Sequence, residues 1–385
     1  MSEWKEYKLG DACTELSDGL HKAPIFVEGG DYIFVNAKNI AKGYIVDNDP
    51  TKKSTYEEYL KYSSPLNDTT ILYSIDGTIG NIALYRGEKC ILGKGACYIN
   101  PNPQILDRMF LYYSLQSPHF NAYIDQMSTG STIQHISLKT MRNYVFTCPP
   151  LDKQKQIASI LTSLDDKIDL LNRENATLEA MAETLFRQWF IEDAKEDWEE
   201  KPLSSIATFL NGLACQKYPP KNEIEKLPVL KIRELTNGIG ADSDWATTDV
   251  GDEYIVHAGD VIFAWSASLM VKIWDGEDCI LNQHLFKVTS DNYPKWFYFF
   301  WCKHHLNEFI SIAQSHATTM GHIKRGDLDT AMVLVPSDDE LQIMTVQMNS
   351  LLQKIENNSK QINTLTHTRD GLLPKLMFNE IIFNS

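Results

Sequence analysis

The chain has 385 residues, more than one ordinary core holds, so two or three domains are expected. Hydrophobic residues make up 43% and charged residues 23%, which excludes wholesale disorder and collagen-like repeats. Basic residues number 36 and acidic residues 51, a formal charge of −15 and the opposite sign from a free-standing nucleic-acid binder. A well-solvated surface is the bland reading of that charge. The longest apolar run, Trp296 to Cys302, falls far short of the ~18 residues a membrane span needs. Met1-Ser2-Glu3-Trp4-Lys5 has no apolar stretch behind it, so no secretory signal is expected. Seven cysteines without a Cys-x-x-Cys pair support neither a zinc knuckle nor a disulfide framework, and a cytoplasmic protein is expected.

In chain order, the first 150 residues mix short β-rich runs with helical ones. Trp4-Lys5-Glu6 with Leu9 opens the segment. Asp18-Gly19 comes next, then the run Phe34 to Ile40, then Thr70-Ile71-Leu72-Tyr73, a buried strand ending in the turn Asp76-Gly77-Thr78. Phe110-Leu111-Tyr112-Tyr113 begins an aromatic helix, read as core and not as a base-stacking platform. Ser131-Thr132-Ile133-Gln134-His135-Ile136 and Pro150-Leu151-Asp152-Lys153-Gln154 complete the series. The same signals then recur in the same order. They are Trp198 with Leu203, Asn211-Gly212, Val229 to Leu235, Val261 to Ala264 with Ser266-Ala267-Ser268, Trp296 to Phe299, Thr318-Thr319-Met320-Gly321-His322-Ile323, and Pro336 to Ile343. An ordered recurrence of this kind is an internal duplication.

Each copy ends in a long helix. Leu164, Ile168, Leu171, Asn175, Leu178, Ala182, Leu185 and Trp189 follow a 4-3 spacing. Leu351, Ile355, Asn358, Ile362, Leu365, Arg369, Leu372 and Leu376 do the same. This is the seam of a coiled coil with one Asn in each stripe, and Arg369 as a further polar exception. Pairing Asn175 with Asn358 in an antiparallel coil satisfies both amides. Pro149-Pro150 and Pro336 mark the helix starts, residues 192–198 form a charged linker, and Pro374 is expected to interrupt the second helix.

No segment supplies a catalytic constellation. Cys148-Pro149-Pro150-Leu151 lacks the flanking residues of an adenine-methyltransferase motif, and Gly93-Lys94-Gly95 lacks the spacing of a phosphate loop. His304-His305 beside Cys302 has no metal-ligand spacing.

Taken together, the opening Trp-x-x-x-x-Leu of each module, the Thr-x-x-His-Ile element, Pro149 to Ala158, Leu185-Phe186-Arg187-Gln188-Trp189-Phe190 and Leu372-Leu373-Pro374-Lys375-Leu376-Met377 resemble the specificity (S) subunit of type I restriction-modification systems. The resemblance covers essentially the whole chain. It implies an α+β protein with two similar, mixed α/β target-recognition domains, separated by two long helices that form an antiparallel coiled coil with pseudo-twofold symmetry. The expected boundaries are 1–150 and 198–336 for the recognition domains, 151–197 for the first spacer helix and linker, and 337–385 for the second. It also implies a non-catalytic subunit that reads a bipartite target in double-stranded DNA, one half-site per domain. The helices would dock methyltransferase (M) subunits, and restriction (R) subunits would join through these. No cofactor is expected in this chain, since S-adenosylmethionine and ATP belong to partner subunits, and no membrane is involved. The alternatives are a duplicated coiled-coil scaffold without DNA specificity, or a fused DNA methyltransferase or nuclease. Ser337-Asp338-Asp339-Glu340-Leu341 departs from the Pro-Leu-x-x-Gln pattern of the first copy.

Arg and Lys read guanine, and Asn and Gln read adenine, in the major groove. The candidate DNA-binding loop residues are Lys38, Asn39, Lys94, Ser131, Thr132, Gln134 and His135 in the first module. In the second they are Arg233, Lys272, Gln283, His284, Thr318, Thr319, His322 and Lys324. The repeated histidines also read as structural residues, because recognition residues should differ between modules. Lys94 against Gln283, and Gln134 against Gly321, do differ. Helix pairing is assigned to Leu164, Ile168, Leu171, Asn175, Leu178, Leu185, Leu351, Ile355, Asn358, Ile362, Leu365 and Leu372.

Overall fold

The computed structural model describes residues 4–49, 51–128, 134–315 and 321–378. The chain divides into two compact units, Met1–Ile168 with Leu365–Ser385, and Asp169–Thr364. Each unit thus takes one module together with a stretch of both long helices, whereas the sequence-based boundaries set the helices apart as elements of their own. The physical reason is burial. An amphipathic helix hides its apolar stripe against whatever module lies beside it.

In the first unit Lys5–Lys8 pairs antiparallel with Val145–Cys148 and draws the two ends of the module together. A four-stranded antiparallel sheet has the order Cys13–Asp18, Ala96–Pro101, Ile71–Ser74, Ile82–Leu84. Its two middle strands are buried along their whole length. A smaller sheet places Tyr32–Val35 parallel to Cys90–Leu92, with Lys53–Ser54 on the other side. The helix Arg108–Ser114 starts at Asp107, whose carboxylate accepts from the Met109 and Phe110 amides. It buries Phe110, Leu111, Tyr112 and Tyr113, so the aromatic run is core.

The second unit repeats this plan. Glu199–Pro202 pairs with Met332–Val335. The larger sheet runs Thr208–Asn211, Leu285–Thr289, Val261–Ala264, Met270–Ile273. The smaller one sets Lys226–Leu230 parallel to Cys279–Leu281. All seven residues from Trp296 to Cys302 are buried in the helix Lys295–His304.

The first long helix, Leu151–Arg187, has 37 residues and is about 55 Å long. It continues into a π-helical turn, Gln188–Glu192. The second, Asp338–Met377, has 40 residues. Its start explains the departure from the first copy. Ser337 and Glu340 form a capping box, in which the Ser337 amide donates to the Glu340 carboxylate and the Glu340 amide to the Ser337 hydroxyl. Pro374 does not interrupt the helix as expected. It lies in the last turn, and the Phe378 amide still donates to its carbonyl at 3.0 Å. So close to the end, the ring removes one helical bond and the helix carries on.

Within the second unit the helical stretches run antiparallel. Glu340, at the head of one, accepts from Lys195 and Trp198 just beyond the tail of the other. Farther along, the Asn358 amide donates to Asn175 Oδ1 at 2.9 Å and to Glu174 at 3.0 Å, while Asn175 donates to Ser359. Asn358 is only 2% exposed, which is why the coil needs a second amide opposite it. Within the first unit Arg369 donates to Asp165 at 2.8 Å, and Asp165 also accepts from the Tyr113 hydroxyl at 2.7 Å. Leu373, Leu376 and Met377 share a buried cluster with Ile157, Ala158 and Leu161.

Candidate nucleic-acid interface

One constellation of loops is built twice, once in each unit. In the first, Gly93-Lys94-Gly95 turns between the strands Cys90–Leu92 and Ala96–Pro101. Three neighbouring segments are pinned to it. The Lys94 amide donates to Leu20 O, the Leu20 amide to Leu92 O, and the Ile75 amide to Gly95 O. The Gly77 amide donates to Gln134 O, and the Ile136 amide to Ile75 O. The second copy makes the matching bonds. Gln283 N–H donates to Leu213 O, Leu213 N–H to Leu281 O, Trp265 N–H to His284 O, Ala267 N–H to Gly321 O, and Ile323 N–H to Trp265 O. The bridges Asp76–His135 and Ser266–His322 are equivalent.

Two glycines make this approach possible. A Cβ on Gly19 would lie 2.2 Å from the Leu92 carbonyl oxygen, and one on Gly212 would lie 2.3 Å from that of Asn282. The turn after the fully buried strand, Ile71–Ser74 or Val261–Ala264, needs a left-handed residue in both copies. Gly77 has φ 73° and supplies it without strain, whereas Ala267 adopts φ 57°.

The side chains on this shared backbone differ. In the first module Lys94 Nζ lies 3.7 Å from Asp76 Oδ2, and His135 Nδ1 lies 4.0 Å from Asp76 Oδ1. In the second, Ser266 and Gln283 take the places of Asp76 and Lys94. The Ser266 hydroxyl shares a hydrogen bond with His284 Nδ1 at 3.1 Å. The Trp265 indole donates to Asn211 Oδ1 at 3.1 Å and sits edge-on to the His322 ring. One cluster carries ionic groups, and the other carries amide, hydroxyl, imidazole and indole.

The structure therefore brings together Lys94, Gln134 and His135 in one unit, and Gln283, His284 and His322 in the other. Lys324 lies two residues past His322, as the N-cap of the helix Arg325–Thr330. Ser131, Thr132, Thr318 and Thr319 lie outside the described residues. Lys38 is exposed on a 3-10 turn that starts beside the Lys94 turn, since the Gly93 amide donates to Val35 O. Asn39 is not a loop residue available to a base. It is 4% exposed, its amide donates to Val46 O and Asn48, and its oxygen accepts from the Asn36 amide. Arg233 stands in the helix Ile232–Asn237 rather than in a loop and is tied to Glu234 and to the Asp242 carbonyl. Lys272 lies on the edge strand Met270–Ile273, paired with Asp275 at 2.9 Å, away from the loop cluster.

Sequence reasoning misses several members of the constellation. Asp76, Trp265, Ser266 and Asn211 read there as turn residues or carry no role. A usable signal is present, because Cys90-Ile91-Leu92 recurs as Cys279-Ile280-Leu281 and aligns the Lys94 and Gln283 turns. Among the described residues, no group of three or more His, Cys, Asp or Glu can hold a metal ion. No helix among them is long and apolar enough to cross a membrane.

Known proteins resemble this chain. The Methanocaldococcus jannaschii type I restriction enzyme MjaIX specificity subunit is 25% identical over 382 residues, 92% of this chain and 87% of that protein. The Haemophilus influenzae HindI specificity subunit is 21% identical over 474 residues, 99% of this chain and all of that one. The crystal structure of the type I restriction-modification S subunit from M. genitalium matches with a TM-score of 0.58 at 16% identity, over 98% of this chain and 96% of that one. At that identity the likeness shows the fold. The type I restriction modification DNA specificity domain matches residues 1–180 and again residues 195–367. Matched twice over most of its length, the chain belongs to the type I restriction-modification DNA specificity family.

Proposed function

We propose that the chain is the DNA-reading, non-catalytic subunit of a type I restriction-modification complex. Each module reads one half of a bipartite target in double-stranded DNA. Methyltransferase subunits dock on the chain, restriction subunits join through them, and S-adenosylmethionine and ATP are used by those partners. The observation that carries this reading is the doubled loop constellation, with its backbone pinned alike in both modules and its side chains different. A common frame with unlike side chains suits two half-sites of unlike sequence.

The charge of −15 is consistent with a division of labour. Lys and Arg contacts to phosphate supply most non-specific affinity, and this chain is poor in them. Partner subunits then provide the phosphate contacts, and the modules contact bases. The test is to exchange residues 198–336 for the matching module of a relative and to map the methylated sites of the assembled complex. One half-site is expected to change and the other to stay. A change in both, or in neither, would overturn the reading. Tight, sequence-specific binding by the isolated chain at physiological salt would overturn the division of labour and leave the DNA-reading role standing.

A further inference from the structure

We propose that Asp76 and Lys94 act as a pair that reads one G·C base pair in the half-site of the first module. This rests on the reading that the loop cluster meets DNA. Asp76 is the unusual member of that cluster. A carboxylate facing a polyanion is repelled by phosphate, yet Asp76 is held at the centre of the cluster by the bridge to His135 and is 28% exposed. Its favourable partner in the major groove is an amino donor on a base edge, either cytosine N4 or adenine N6.

Lys94 decides between them. Its side chain is 53% exposed, and its ammonium lies 3.7 Å from Asp76, too far for a hydrogen bond, so both groups keep capacity for a third partner. A donor and an acceptor side by side match the major-groove edge of a G·C pair. There guanine N7 and O6 accept, and cytosine N4, hydrogen-bonded to that same O6, donates. An A·T pair fits less well. A carboxylate at adenine N6 also meets the lone pair of N7, and thymine gives the ammonium one acceptor beside a methyl group, where guanine gives two. The backbone leaves little freedom to evade this geometry. A Cβ on Gly95 would lie 2.9 Å from that of Asp76, so the two turns are in contact. The second module, with Ser266 and Gln283 at these positions, lacks the ionic pair.

The test uses the full chain assembled with its methyltransferase subunits and a pool of duplexes randomised across both half-sites. The parental complex is expected to select G·C at one position of the first half-site. Replacing that pair with A·T should weaken binding roughly 5- to 150-fold. The double variant Asp76→Ser with Lys94→Gln should lose this preference at that single position and keep the second half-site, which also shows that the variant has folded and assembled. Lys94→Met, which leaves Asp76 and the backbone untouched, should lose the preference at the same base pair. The proposal is overturned if the variants change no position, if the lost preference is for A·T, or if all sequences weaken equally, as for a phosphate contact. Each of those results leaves the bipartite reading standing. A parental complex that selects no sequence would bring down that reading, and this proposal with it.

Discussion

The two modules agree where the backbone is pinned and disagree in the side chains carried on that backbone. Gly19 and Gly212 allow the same close approach, and the Lys94 and Gln283 turns accept and donate the same backbone bonds. Yet Asp76 and Lys94 in the first module correspond to Ser266 and Gln283 in the second. Likeness between the copies therefore marks the frame, and on the proposed reading unlikeness marks the recognition surface. His135 and His322 fall on the frame side, since each sits in the same bridge.

The largest effect should come from the paired glycines. Gly19→Ala and Gly212→Ala each force a Cβ against a backbone carbonyl that cannot withdraw, and each should cost about 3 kcal/mol in urea denaturation. A large cost at one site with none at the other would break the equivalence. The helix pairs should differ next. Asn358→Ala leaves partners stranded beside a buried position and should cost about 2 kcal/mol. Arg369→Ala in the first unit removes an ion pair whose side chains are about 30% exposed, and should cost about 1 kcal/mol or less.

Acid should distinguish the two helix starts. The Glu340 carboxyl is held down to about 2, first by its hydrogen bond from Lys195 and then by Ser337. A depressed carboxyl pKa stabilises above the unfolded value and loses that contribution as pH falls through the folded one. Glu340→Gln should therefore be less stable than the parent at neutral pH. The difference should shrink below the usual glutamate range and vanish near pH 2. The first helix start instead uses uncharged Gln154, which accepts from the Asp107 amide at 2.8 Å, so Gln154→Glu is not expected to reproduce the parent's local contacts. Effects of about 1 kcal/mol or less are also expected at the left-handed turn. Gly77→Ala should cost about 1 kcal/mol, and Ala267→Gly should gain a few tenths, measured as shifts of the denaturation midpoint.

Much of this is legible in the sequence because duplication repeats physical requirements. The two glycines and the two histidine elements recur since each holds an equivalent place in the frame. The Asn175–Asn358 contact is readable because a buried amide in an apolar stripe needs a polar partner. The illegible part depends on burial and on neighbours distant in the chain. Asn39 looks like a base reader until its amide is seen to hold Val46 and Asn48. Lys272 looks like a loop cation until strand pairing sets it on a sheet edge opposite Ile262. Asp76 gives no signal of its own, since an acidic turn residue is ordinary and its meaning comes from Lys94, 18 positions later.

The buried cluster that joins Ile157, Ala158 and Leu161 to Leu373, Leu376 and Met377 also dictates an order of events during synthesis. The first module and its helix are complete well before residues 373–377 are made. At roughly 5–20 residues per second, the ribosome delivers the missing pieces about 10–40 s later. The second unit has its parts in hand sooner, once residue 364 has emerged. During that interval the nascent chain carries an uncovered apolar face on its first helix, so a chaperone should be found on the early module and released only when Met377 has emerged. Ribosome-associated pulldown of chains stalled at increasing lengths would show that hand-over.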